Sequence, residues 1–104
     1  NGNVYAATKY AVKALSQSIR IDVLDKGIKV SSVDPGMVET EFSLVRFRGD
    51  KNKASKVYRG LKPLSPADVA EAVLFCATRP ENVNINELIL TPLAQASSTQ
   101  VHRK

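Results

Sequence analysis

Apolar positions recur at helical spacing through the first quarter of the chain. Between residues 4 and 25, Val4, Ala7, Ala11, Val12, Leu15, Ile19 and Val23 share one stripe, and Gly27 supplies the stop. Tyr10, Ala14, Ile21 and Leu24 form a second apolar set on another side. A helix apolar on two sides is expected to lie buried between a sheet and a further partner, such as a second subunit. The period then changes. Ile28-Lys29-Val30-Ser31-Ser32-Val33 is rich in β-branched residues and closes on Asp34-Pro35-Gly36, predicting a strand over 28–33 and then a turn. Residues 37–62 scatter Phe42, Leu44, Val45, Phe47, Val57 and Tyr58 among charges and read as an excursion holding one or two short helices. Ser65-Pro66-Ala67-Asp68 is a helix start, with Ser65 as N-cap, Pro66 at the first helical position and Asp68 near the positive end of the dipole. Its apolar positions Val69, Ala70, Val73, Leu74 and Ala77 run to a stop at Arg79-Pro80. Leu88-Ile89-Leu90-Thr91 reads as a short buried strand, and the polar tail from Ala94 is expected to dock on a neighbour or fray.

Helix, strand, excursion, helix, strand is the alternation of an α/β doubly wound parallel sheet. Two strands do not complete such a sheet, because parallel sheets need both faces covered and their edges paired. The 104 residues are therefore expected to form the C-terminal half of a larger domain, the alternative being strands borrowed from a partner. Alone, the edge of strand 28–33 would be expected to drive dimerisation, swapping or aggregation.

Composition narrows the function. An apolar fraction of 43% supports a packed globule. The net charge of +5 comes from lysines and arginines gathered in 46–62 and in the terminal His102-Arg103-Lys104. Acidic residues are interspersed and no basic helix face carries aromatics, so a solvated basic loop is read ahead of a nucleic-acid surface. One cysteine, Cys76, allows no intrachain disulfide and suits a reducing compartment, and its apolar surroundings mark it as core rather than nucleophile. One histidine and one cysteine do not make a zinc site, and His102 in the charged tail is no member of a Ser-His-Asp triad. No apolar run approaches the roughly 18 residues of a membrane span. A cytoplasmic protein without membrane or nucleic-acid partners is expected.

The chemistry begins at Tyr5-Ala6-Ala7-Thr8-Lys9. Spacing of i and i+4 on a helix puts phenol and ammonium on one face. A cation beside a tyrosine favours the phenolate and makes it a usable general acid/base. The following strand ends in Asp34-Pro35-Gly36-Met37-Val38-Glu39-Thr40, and open α/β sheets bind ligands beyond the carboxyl ends of their strands. There Gly36 admits a ligand close to the backbone, Pro35 stiffens the turn, and the Met37 and Val38 amides and the Thr40 hydroxyl could bond a flat polar ligand.

In this order, Tyr5-x-x-x-Lys9 with small residues between, the strand closed by Pro35-Gly36-x-x-x-Thr40, the excursion, and the Ser65-Pro66-x-Asp68 helix before a last strand resemble the C-terminal half of a short-chain dehydrogenase/reductase. Thr40-Glu41-Phe42-Ser43, Val45-Arg46-Phe47-Arg48-Gly49-Asp50, Asn84-Ile85-Asn86 and Val101-His102-Arg103 resemble the NADP-dependent 3-hydroxy acid dehydrogenases, which act on serine, allo-threonine and related acids. The resemblance implies hydride transfer between NADP, or alternatively NAD, and a small hydroxy acid or carbonyl substrate in a homo-oligomer, a dimer or tetramer. It implies Tyr5 as the general acid/base and Lys9 as the group that supports it and holds the nicotinamide ribose. Pro35, Gly36, Met37 and Val38 would line the nicotinamide, with Thr40 nearby. Arg46, with Arg48 beside it, and Phe42 would meet the substrate, the guanidinium binding a carboxylate bidentately. The family's glycine-rich phosphate turn, its NAD/NADP selector and its catalytic serine and helix asparagine would lie upstream of Asn1, and Ser16, Ser18, Ser31 and Ser32 fall in the wrong elements to replace that serine. The 104 residues alone are thus expected to be inactive and the parent protein active. The competing expectation is an association module, in which the two-sided helix and last strand assemble subunits.

Overall fold

Helix α1 (Gly2–Asp22) contains no proline, and two of its hydroxyls bond its own turns: Thr8 Oγ1 donates to the Tyr5 carbonyl and Ser16 Oγ to that of Val12. The computed structural model describes residues 2–40, 56 and 58–104. After α1 a 3-10 turn (Leu24–Lys26) ends at Gly27, whose φ of 66° lies in the left-handed region that favours glycine. Strand β1 (Ser32–Pro35), helix α2 (Pro66–Ala77) and strand β2 (Glu87–Leu90) complete the regular elements among the described residues.

β1 and β2 pair in parallel, Ser32 opposite Glu87 through Pro35 opposite Leu90. The strand expected at 28–33 therefore sits at 32–35, for a reason the β-branched run does not reveal. Pairing starts only where β2 supplies backbone, with Ser32 N–H donating to the Asn86 carbonyl. Before that point a side chain takes the partner strand's place. Asn84 Oδ1 accepts from Val30 N–H at 2.9 Å and Asn84 Nδ2 donates to the Val30 carbonyl at 3.0 Å, making one rung of a ladder without a strand. At the other end Gly36 N–H donates to the Leu90 carbonyl at 2.7 Å, so pairing runs through Pro35 into the expected turn. Pro35 itself, lacking an N–H, is tolerated at the strand's last position.

α2 begins as its sequence predicts. Ser65 Oγ accepts from Asp68 N–H, and the Asp68 carboxylate accepts from Ser65 N–H at 2.8 Å, a reciprocal capping box with Pro66 in the first turn. Those bonds, the backbone one first, hold the Asp68 carboxyl below its ordinary value, with a smaller contribution from the Lys62 charge. Past the other end Lys29 Nζ donates to the Arg79 and Pro80 carbonyls, setting a cation where helix carbonyls end. α2 packs on β1 and buries Cys76, with Val69 and Ala72 half-buried at the spacing of one face. The expected stripe is corrected here: Val73 and Leu74 are exposed, because only one side of α2 meets the sheet.

Neither apolar set of α1 is covered among the described residues. Leu15 remains 58% exposed on one stripe and Tyr10 75% on the other. A Lys13–Glu87 ion pair at 3.9 Å links α1 to β2. The tail, by contrast, does not fray. Gln95 and Val101 form an antiparallel bridge, His102 N–H donates to the Ala94 carbonyl, and Lys104 N–H to that of Gly60. Its polarity hid a hairpin held by backbone bonds. No helix among the described residues is long and apolar enough to cross a membrane.

Candidate active site

The first turns of α1 face β1. Tyr5, Lys9, Tyr10, Val12 and Lys13 from the helix and residues 32–35 from the strand line an open cleft of ≈ 450 Å³, within the range of small-molecule sites. The structure thus brings together three of the residues singled out from sequence: Tyr5, Lys9 and Pro35. Helical spacing puts Lys9 Nζ 5.3 Å from the centre of the Tyr5 ring, over its face. Tyr5 is 61% exposed. Asp34 adds a carboxylate to the wall, with Ser32 Oγ donating to it at 2.8 Å.

Beyond Pro35 the turn is more occupied than its sequence suggested. The Met37 amide, expected to face a ligand, donates to Gln95 Oε1 at 2.8 Å. The Val38 carbonyl accepts from the Tyr58 hydroxyl at 2.7 Å, and Val38 bridges Leu64 in parallel. Glu39 N–H donates to the Leu64 carbonyl and Leu64 N–H to that of Met37, tying the turn to the residues before α2. Gly36 does serve close approach, though by protein: a Cβ there would overlap Gln95 Oε1 and crowd Thr91 Cγ2. Thr40 is exposed at the end of the described segment. Phe42, Arg46 and Arg48 lie outside the described residues.

Sequence reasoning missed Gln95, Tyr58 and Asp34. Gln95 lies 58 residues from its partner inside a polar tail, and no local pattern signals such a bond. Tyr58, read only as scattered apolar surface, could have been noted as a tyrosine able to bond a backbone carbonyl.

Chemically, the cleft offers an ammonium with three donors, a phenol that can donate or accept, and a wall formed by a parallel strand. Residues 1–50 match the short chain dehydrogenase family. The NADP-dependent 3-hydroxy acid dehydrogenase of Schizosaccharomyces pombe is 47% identical over 103 residues, covering 99% of this chain and 40% of its own length. The serine 3-dehydrogenase of Agrobacterium fabrum is 39% identical over 99% of this chain and 42% of its own. A solved closed form of serine dehydrogenase complexed with NADP+ matches with a TM-score of 0.88 and 45% identity, over 99% of this chain and 42% of that one. The family match is thus confined to residues 1–50, while the chain is similar to these dehydrogenases over essentially its whole length and has a Rossmann-like α/β fold. It spans about two-fifths of the length of these relatives.

Proposed function

We propose that the protein is an NADP-dependent dehydrogenase of small 3-hydroxy acids, serine and allo-threonine among them. The observation that carries the proposal is the Tyr5–Lys9 pair lining a cleft along β1, the strand that leads into the Pro35-Gly36 turn. The names of the relatives support the cofactor and the substrate class. In this reading residues 1–104 are the C-terminal part of a single Rossmann-type domain, and 37–62 form its substrate-side excursion.

The donor set in the cleft fits the nicotinamide-riboside half of such a cofactor. Lys9 Nζ has the donors to hold the ribose hydroxyls, and Pro35, Gly36, Met37, Val38 and Thr40 belong to the turn that would border the ring. The chemistry the cofactor supplies when bound is hydride exchange with the substrate carbon. Tyr5 Oη takes the alcohol proton during oxidation and returns it during carbonyl reduction. The Lys9 charge stabilises negative charge developing on that oxygen as the proton moves. Phe42 and Arg46, with Arg48 beside it, belong to the excursion, where a guanidinium would pair with the substrate carboxylate. A homo-oligomer, a dimer or tetramer, belongs to this reading, and one cysteine with no expected disulfide supports a cytoplasmic location.

Incubating the purified full-length protein with serine or allo-threonine and either NADP+ or NAD+ tests the proposal. Formation of NADPH from a 3-hydroxy acid, in preference to NADH, is expected. Absence of turnover with every small 3-hydroxy acid and both cofactors would refute it.

A further inference from the structure

We infer that Gln95 is a positioning residue of this site, holding the peptide that joins Gly36 and Met37 and through it the turn beyond Pro35. The inference rests on the proposed function for its catalytic consequence, though not for its geometry. Gln95 Oε1 accepts from Met37 N–H at 2.8 Å in a half-buried setting. The same amide is anchored behind: Gln95 Nε2 donates to the Ser97 carbonyl at 3.2 Å, and Gln95 N–H to that of Pro92 at 3.0 Å. A carboxamide makes both bonds at once, accepting at Met37 and donating at Ser97, and the acceptor is the part that holds the turn.

Gly36 completes the arrangement. A Cβ at that position would overlap Gln95 Oε1, so the missing side chain is what admits the amide to the turn. The glycine therefore serves a protein contact, and Met37 N–H is withdrawn from the ligand side. With Leu64 N–H bonded to the Met37 carbonyl and Gly36 N–H to the Leu90 carbonyl, the turn is held on three sides before any ligand arrives. Preorganisation of this kind matters because a displacement of about 1 Å in a positioning group can cost about a hundredfold in rate.

Two variants of the full-length enzyme separate positioning from mere anchoring of the tail. Gln95→Leu removes both bonds, whereas Gln95→Glu keeps the acceptor for Met37 N–H and sets a carboxylate oxygen in place of the donor to Ser97. In Gln95→Leu the Met37 amide should exchange with solvent about tenfold faster, the loss of one hydrogen bond, and kcat should fall about ten- to a hundredfold. Gln95→Glu should restore Met37 protection and most of the turnover. Equal losses in both variants, or unchanged Met37 exchange in Gln95→Leu, would overturn the inference. Should the wild-type enzyme oxidise no hydroxy acid, the proposed function fails, while the Met37 exchange comparison still decides the role of Gln95.

Discussion

Lys9 Nζ stands 5.3 Å from the centre of the Tyr5 ring, one helical turn along α1. Because both residues belong to one helix, their separation is set by local geometry rather than by packing of distant elements. Packing sets the opposite wall, residues 32–35 of β1. The pair therefore survives as a unit even though α1 buries little of its apolar surface.

Lys9→Met keeps side-chain length and helix propensity while removing charge and donors. NADPH affinity of the full-length protein should fall about ten- to a hundredfold, the worth of a charged hydrogen bond, with helical ellipticity unchanged. Titration of the bound nucleotide's fluorescence measures it, and unaltered affinity would remove Lys9 from the cofactor site.

Asn84 replaces a strand with one side chain, so its loss should be costly for a polar residue. Asn84→Ala leaves the Val30 N–H and carbonyl without their partner and should lower stability by about 2 kcal/mol. Asn84→Asp, which still accepts from Val30 N–H, should fall between the two. Denaturant unfolding reads the difference, and an alanine variant as stable as wild type would show that water serves Val30 equally well.

The capping box predicts a pH signature. Ser65→Ala should destabilise by about 1 kcal/mol, the ordinary worth of an N-cap. For Asp68 the folded carboxyl lies below its ordinary 3.8. Its contribution is thus fully present above that value and is lost as pH falls through the lower folded one. The Tm difference between wild type and Asp68→Asn should accordingly be flat near neutral pH and close in strong acid. A difference independent of pH down to about 2 would contradict the charged cap.

What the sequence made legible was local. Helix α1 itself, the Ser65–Asp68 cap and the i, i+4 pair at Tyr5 and Lys9 depend on neighbours a few residues apart, and each stands where the pattern put it, although the apolar sets of α1 expected to be buried are exposed. Contacts spanning half the chain were not legible. Ile28 and Val30 carry strand character, yet the ladder begins at Ser32 because Asn86 and Glu87 arrive only there. The tail from Ala94 has no apolar period, so nothing foretold that Gln95 would reach Met37 or Lys104 the Gly60 carbonyl. Likewise Val73 and Leu74 follow a helical period without being buried, because period marks a face and not what covers it.

In the proposed reaction Tyr5 moves the substrate proton, and Tyr5→Phe isolates that oxygen while leaving the ring under Lys9. In the full-length enzyme, kcat for serine oxidation should fall by about 10²–10⁴, the usual contribution of a positioned acid/base, while NADPH binds with essentially wild-type affinity. A Tyr5→Phe enzyme that oxidises serine at close to the wild-type rate would contradict the assignment.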